Sequence, residues 1–253
     1  MEKEELIIAA AAKVHEDWCM EEYKAFYNRA VQVKENGRTI KDAWNEACFK
    51  GNKKRNEIDL DVPYLVGHDT LASTSLDSFE NFMALVRQGG LDVKRFTGRN
   101  LTDEEMKEAV RTRDYKVETG EENILRDFKY LSADSQKENL EAAISAYSVF
   151  EEMCKSGYEI EDMTTNSDIR ALIGMAIHAD WIERNPDHAD KDLLVPYEEL
   201  DEWTKDQDLT VFDALVSVVQ RSGVVIAREE GYALPDYRGK EEQALKAIRN
   251  KKI

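Results

Sequence analysis

The sequence predicts an all-α fold built from two diverged copies of one helical unit packed together, with few or no strands. Three observations predict it. Apolar residues recur at steps of three and four along most of the chain, which is the spacing of one helix face. Only four prolines and twelve glycines interrupt the 253 residues, too few for a turn-dense β fold. A pattern of His-x-x-Trp followed by Val-Pro-Tyr occurs twice.

In the first half, the apolar spacing predicts a helix from Glu4 to about Val33, ended by Asn36-Gly37. A short helix capped by Thr39 follows, and then a polar loop from Gly51 to Asp61. The next helix begins at Ser75 or Asp77 and ends at Gly89-Gly90. Residues 92–127 are interpreted as a linker, with one charged surface helix that begins at Thr102 and ends near Arg113.

The second half is more regular and contains the clearest helix signals. Ser132 is placed to cap a helix that ends at Gly157, and Asn166 or Ser167 to cap another that ends near Asn185-Pro186. An amphipathic helix after Tyr197 ends at Gly223, and a charged helix spans Lys240 to Arg249. Residues 224–226 (Val-Val-Ile) are the one candidate for a short strand.

Charge, apolar pattern and cysteine spacing argue against nucleic-acid binding, a membrane span and a disulfide framework. Thirty-five basic and fifty-two acidic residues give a net charge of −17, which repels a phosphate backbone, so nucleic-acid binding is not expected. No apolar run reaches the roughly 20 residues of a bilayer span, and the N-terminal apolar stretch follows acids instead of a basic region. The three cysteines are distant from one another and form no disulfide or metal pattern. We therefore expect a soluble, cytoplasmic protein.

Two stretches of the chain align as an internal repeat. The first is AAKVHEDW at 11–18, followed by Val62-Pro63-Tyr64 and a helix that ends at Gly89. The second is IGMAIHADW at 173–181, followed by Val195-Pro196-Tyr197 and a helix that ends at Gly223. Elements that recur in one order with matched spacing indicate duplication. The predicted organisation is a first unit over 1–91, the linker over 92–127, and a second unit with a C-terminal helix over 128–253.

This arrangement resembles the RyR repeat, the helical module of ryanodine receptors that also occurs in bacterial and phage proteins. The best match runs from Ser167 to Ile226 and is carried by these residues of the family pattern: His178, Trp181, Leu193 to Tyr197, Leu200, Lys205, Asp208 and Gly223. The aromatic, Gly-rich loop of the family is absent after Trp181. The resemblance implies binding of an adenine nucleotide, and in prokaryotic settings a part in nucleotide signalling or phage–host conflict.

The resemblance also implies which residues would bind the ligand. In the stronger copy, Trp181 and Tyr197 would stack on a base, His178 would hydrogen-bond it, and Lys205 would meet phosphate, with Trp203 beside the same turn. The equivalents in the first copy are His15, Trp18 and Tyr64. For each His-Trp pair the alternative interpretation is structural, namely a core indole beside a histidine that is bonded to backbone. Pro63-Tyr64 and Pro196-Tyr197 are equally explained as fixing the chain where the next helix begins.

Two hypotheses about function follow. The first is a non-enzymatic binding module for a nucleotide-like small molecule. The second is an acidic helical protein of phage or bacterial origin that acts through structure or protein interaction, either with a partner or as a homo-oligomer. Catalysis is not expected, because neither a nucleophile elbow nor a phosphate-binding Gly-rich loop is present. Four histidines without clustered ligands predict no metal and no cofactor.

Overall fold

The computed structural model describes residues 1–35, 100–115, 127–188 and 190–250. Within these residues the fold is all-α, as the sequence predicts, and contains no strand. The described α-helices are α1 (Lys3–Glu35), α2 (Asp103–Thr112), α3 (Ala133–Ser156), α4 (Ile160–Thr165), α5 (Ser167–Arg184), α6 (Glu202–Ser222) and α7 (Tyr237–Asn250). Short 3₁₀ helices lie at Phe128–Tyr130, Lys191–Leu193 and Tyr197–Glu199.

Helix boundaries follow local chemistry closely in the second half. The Asn166 side chain accepts hydrogen bonds from the backbone N–H groups of Asp168 and Ile169, which caps α5 as predicted. Helix α3 ends at Ser156 before Gly157, and α6 ends at Ser222 before Gly223. Both glycines adopt positive φ, the left-handed conformation that a side chain disfavours.

The structure corrects one sequence expectation, adds one helix that was not predicted, and leaves three expectations untested. The candidate strand at 224–226 is wrong, since this stretch has no ladder partner and Val225 is 88% exposed. Helix α4 was not predicted, because its six residues are too few to show helical spacing. The helix predicted from Ser75 or Asp77, the Thr39 helix and the first Val-Pro-Tyr lie outside the described residues.

The chain divides into two compact units, of which unit 1 comprises residues 1–14, 103–114 and 138–253. Unit 2 comprises residues 15–102 and 115–137. In unit 2 the fully buried side chain of Gln136 donates to the carbonyl of Phe128 and accepts from the N–H of Leu101, so one amide satisfies two backbone groups. The division of the chain at residues 91 and 127 stays a prediction.

Helix α5 is the central helix of unit 1. Seven consecutive residues, 173–179, are buried, so helices or loops cover every face of this stretch. Helix α7 packs along α5 through a cluster made by Ile182, Ala244, Leu245 and Ile248. Because burying one large apolar side chain contributes about 1.5–3 kcal/mol, these contacts hold the C-terminal helix in place.

The rest of the unit 1 core lies between α3, α6 and the start of α1. The Phe150 and Phe212 rings lie 6.3 Å apart between centroids, and both side chains are fully buried. Leu6 and Ile7 of α1 are also fully buried. Helix α2, predicted as a surface helix, buries Met106, Ala109 and Val110 on one face, and its Lys107 pairs with Glu5 of α1.

Among the described residues, no helix is both long and apolar enough to cross a bilayer.

Candidate functional site

The structure brings together three of the predicted site residues, His178, Trp181 and Tyr197. The imidazole of His178 and the indole of Trp181 are nearly parallel, 8° apart, with centroids separated by 5.9 Å. The phenol ring of Tyr197 lies 6.2 Å from the imidazole at 53°. His178 and Trp181 are adjacent because they lie three residues apart on α5.

His178 is buried and both of its ring nitrogens face oxygen atoms of the protein. Its side chain is 3% exposed. Nε2 lies 2.9 Å from the carbonyl oxygen of Val195. Nδ1 lies 3.5 Å from Oδ2 of Asp208 on α6, a separation that suits an ion pair better than a well-formed hydrogen bond. This geometry matches the structural alternative for His178, in which the imidazole is hydrogen-bonded to the backbone.

Tyr197 is held by contacts on two sides. Its backbone N–H donates to Oε1 of Glu241 at 2.7 Å, and Glu241 is itself only 3% exposed. Its ring lies against Gly174 of α5, where a Cβ would stand 2.7 Å from Cε2 and closer still to Cζ and the hydroxyl. Burial raises the pKa of the Tyr197 phenol to about 12, so the ring stays neutral at physiological pH.

Trp181 is half-buried and its surroundings are mostly occupied. It packs on the α5–α7 cluster together with Leu194, and the ring of His188 meets it edge-on with centroids 5.1 Å apart. An indole already enclosed by two imidazoles and an aliphatic cluster offers little free face for a base.

Trp203 and Lys205 lie at the start of α6, and among the described residues no ring contact joins Trp203 to His178, Trp181 or Tyr197. The Trp203 side chain is 70% exposed. The Lys205 ammonium donates to Oε1 of Glu202 at 3.0 Å. The Asp201 carboxylate caps this helix by accepting from the N–H of Thr204 at 2.8 Å, a bond that lowers the pKa of Asp201.

In the weaker copy, His15 and Trp18 form a pair with the same ring separation. Their ring centroids are also 5.9 Å apart, with planes at 29°. His15 is 5% exposed, and its Nε2 lies 3.4 Å from Sγ of Cys19. Tyr64 lies outside the described residues, so the equivalence of the two copies stays a prediction.

Sequence reasoning missed three residues that build this region, namely Gly174, Glu241 and Asp208 as the partner of His178. Each carries a signal that could have been used. Gly174 interrupts an otherwise apolar helical run, which usually marks a close approach of another group. Asp208 precedes Phe212 by one helical turn, and Glu241 precedes Leu245 in the same way, so both are acids on buried faces.

His178 and Glu241 are buried, and their polar atoms face other groups of the protein. Within the described ranges, no group of three or more His, Cys, Asp or Glu side chains is positioned to hold a metal ion. Of the predicted site residues in this part of the chain, Trp203 is the exposed one, and acidic residues flank it in sequence.

Comparison with known proteins leaves the family open. No family model matches the chain, and no curated protein or solved structure matches it. The resemblance to the RyR repeat therefore remains a hypothesis that rests on the residues of its motif.

Proposed function

We propose that this chain is a non-enzymatic helical binding protein that docks a basic segment of a partner protein on the Trp203 surface. We define that surface as the indole of Trp203 and the exposed carboxylates beside it in sequence: Glu198, Glu199, Asp201, Glu202 and Asp206. The observation that carries the proposal is the 70% exposure of the Trp203 side chain in this acidic setting.

The choice of a protein partner follows from the energetics of interfaces. Tryptophan is enriched among the few residues that contribute most of the binding energy, because its large ring loses much water-exposed area on docking. An indole that is exposed in the free protein gains free energy when a partner surface covers its apolar ring.

The choice of a basic segment follows from charge. Of the nearby cations, Lys205 pairs with Glu202 and Arg238 pairs with Glu198, so they neutralise only part of the surface. The chain as a whole carries −17. Lysine or arginine side chains of a partner would be attracted to this field, whereas phosphate would be repelled.

Binding of a nucleotide-like molecule is a second proposal, supported by the open indole of Trp203. An aromatic ring of this exposure can stack on a base, and the motif resemblance points to the same ligand class. The proposal must accommodate two facts. Lys205 is engaged by Glu202, and His178 and Tyr197 are buried against other groups.

One titration compares the two proposals. The probes are a synthetic amphipathic Lys/Leu peptide, a Glu/Leu peptide of the same length, and a panel of ATP, ADP-ribose and cyclic nucleotides at millimolar concentration. We expect the basic peptide alone to bind, and Trp203→Ala to weaken it at least tenfold, which corresponds to about 1.4 kcal/mol. Thermal shift and calorimetry provide the measurements.

A matched control is Val225→Ala, which truncates another exposed apolar side chain of unit 1, 88% exposed. Equal binding by the wild type, Trp203→Ala and Val225→Ala proteins would contradict docking at the Trp203 surface. A nucleotide-induced thermal shift that Trp203→Ala abolishes, with no response to the basic peptide, would favour the second proposal instead.

A further inference from the structure

Four elements meet around His178. Helix α5 supplies the imidazole, and the turn before α6 supplies the carbonyl of Val195 and the ring of Tyr197. Helix α6 supplies Asp208, and α7 supplies Glu241. We call these five residues the His178 cluster.

The positions of hydrogen atoms in this cluster follow from its geometry. A backbone carbonyl can only accept, so the Nε2 atom that lies 2.9 Å from Val195 must carry a hydrogen. The other nitrogen, Nδ1, faces Oδ2 of Asp208, a buried atom that has no hydrogen-bond partner among the described residues. Attraction at this contact requires a proton on either the imidazole or the carboxyl. The pair therefore holds one proton more than a neutral histidine beside an ionised aspartate.

The His178 cluster makes contacts with the chain both before and after Trp203. Before Trp203, the carbonyl of Val195 is bound by His178, and the N–H of Tyr197 is bound by Glu241. After Trp203, Asp208 anchors the first turns of α6 to the same imidazole. Trp203 therefore lies in a short segment, residues 195–208, and both ends of that segment contact the imidazole of His178.

We propose that the His178 cluster is a proton-dependent latch. With its extra proton it fixes residues 195–203. On loss of that proton, Nδ1 presents a lone pair to the Asp208 carboxylate, and this repulsion displaces the imidazole from both of its contacts and releases residues 195–203 and the Trp203 surface. The structural part of this inference stands without a partner, while its effect on binding rests on the proposed function.

The direction of the pH effect follows from the charges that face His178. Burial lowers the pKa of His178, but the close contact with the negatively charged Asp208 carboxylate outweighs burial and raises this pKa above its usual value of 6.5. Glu241 from α7 adds to the increase. Tyr197 stays neutral. Arg184, on the same helix as His178, acts on Asp208 and is paired with Asp180 at 3.0 Å.

Burial also raises the pKa of Asp208, although the imidazolium opposes this shift. A histidine whose pKa is higher in the folded than in the unfolded state stabilises the fold fully below about pH 6.5. Its contribution is then lost as the pH rises through the folded pKa. The latch is therefore closed under acidic conditions and opens on the alkaline side.

Hydrogen exchange of the full-length protein without any partner tests the latch. Exchange is measured from pH 6 to 9 and corrected for the intrinsic pH dependence of amide exchange. We expect protection of residues 195–203 to fall at least tenfold across this range, while α3 residues 140–153 keep theirs. The variant Asp208→Asn should remove the pH dependence, because an amide can donate to Nδ1 of a neutral imidazole.

The matched control is His188→Gln, which changes a half-buried histidine in the loop after α5 that contacts Trp181 and not Asp208, and it should leave the pH profile intact. Side-chain NMR, assigned with His178→Gln, should show His178 titrating above 6.5. Protection of 195–203 that is independent of pH in the wild type, or unchanged pH dependence in Asp208→Asn, would overturn the latch. Loss of peptide binding at every pH with the exchange profile intact would overturn only the proposed function.

Discussion

Replacing Gly174 by alanine tests how closely α5 and Tyr197 are packed. A glycine inside a helix normally costs about 1 kcal/mol relative to alanine, so this change should stabilise a helix that has room for a methyl group. Here the methyl carbon would stand 2.7 Å from Cε2 of Tyr197 and overlap Cζ and the hydroxyl. The ring must therefore leave its place on α5.

The magnitude follows from what the ring loses. Tyr197 is 5% exposed, and forcing an extra carbon into such packing costs about 1–3 kcal/mol. After subtraction of about 1 kcal/mol for the gain in helix propensity, we expect Gly174→Ala to destabilise the protein by up to about 2 kcal/mol. At roughly 2–4 °C per kcal/mol for a chain of this size, Tm should fall by up to about 8 °C.

Urea unfolding followed by both circular dichroism and tryptophan fluorescence measures this cost, and coincidence of the two curves checks that unfolding is two-state. The matched control is Gly239→Ala on α7, where the methyl group would meet the exposed carboxylate of Asp236 instead of a buried ring. That carboxylate accepts from the N–H of Gly239, so its displacement should cost no more than one capping hydrogen bond, about 1 kcal/mol. Gly174→Ala should also lose its cost in a Tyr197→Leu background. A stabilised Gly174→Ala protein would refute the close packing inferred between Gly174 and Tyr197.

Three further predictions follow from single contacts. Asn166→Ala should cost about 1 kcal/mol in urea unfolding, because two N–H groups of α5 lose their acceptor, whereas Asn166→Asp should cost little. Burial raises the pKa of the Cys154 thiol to about 11, which lowers the fraction of reactive thiolate. In a Cys19→Ser, Cys48→Ser background, Cys154 should therefore react with a disulfide reagent at pH 8 about a hundredfold more slowly in the folded than in the unfolded protein. Equal rates in the two states would contradict the burial of this thiol. The Arg170 guanidinium of α5 donates to both carboxylate oxygens of Asp213 on α6, at 2.8 and 2.9 Å. Arg170→Lys should therefore lower the free energy of unfolding by up to about 1 kcal/mol. In an Asp213→Ala background the same substitution should cause no loss.

The fold was predictable where the signals are local. Asn166 begins a helix through the hydrogen bonds that its side chain accepts, and Gly157 and Gly223 end helices through their tolerance of positive φ. The structure places the helix ends there. The short helix α4 was not predictable by spacing, because one and a half turns contain too few apolar positions. Its only buried residue is Met163.

The site was only partly predictable because its geometry depends on distant segments. The nearness of His178 and Trp181 follows from helical spacing alone. The approach of Tyr197 follows from a turn after α5, and the sequence pattern indicated that turn through Pro196. The part played by Glu241 arises only when α7 packs on α5, 44 residues further along the chain than Tyr197. No local pattern contains that information, although an acid on an apolar helix face was a usable signal.

The enclosure of α5 has a consequence for how unit 1 comes apart. Residues 173–179 have no side facing water, so this helix gains its stability from neighbours and not from its own sequence. Partial unfolding that removes one helix packed against α5 would expose apolar side chains such as Ile173 and Ile177 to water. Intermediates lacking a single outer helix are therefore disfavoured, and the amides in the middle of α5 should exchange with solvent only when the surrounding helices of unit 1 are lost together.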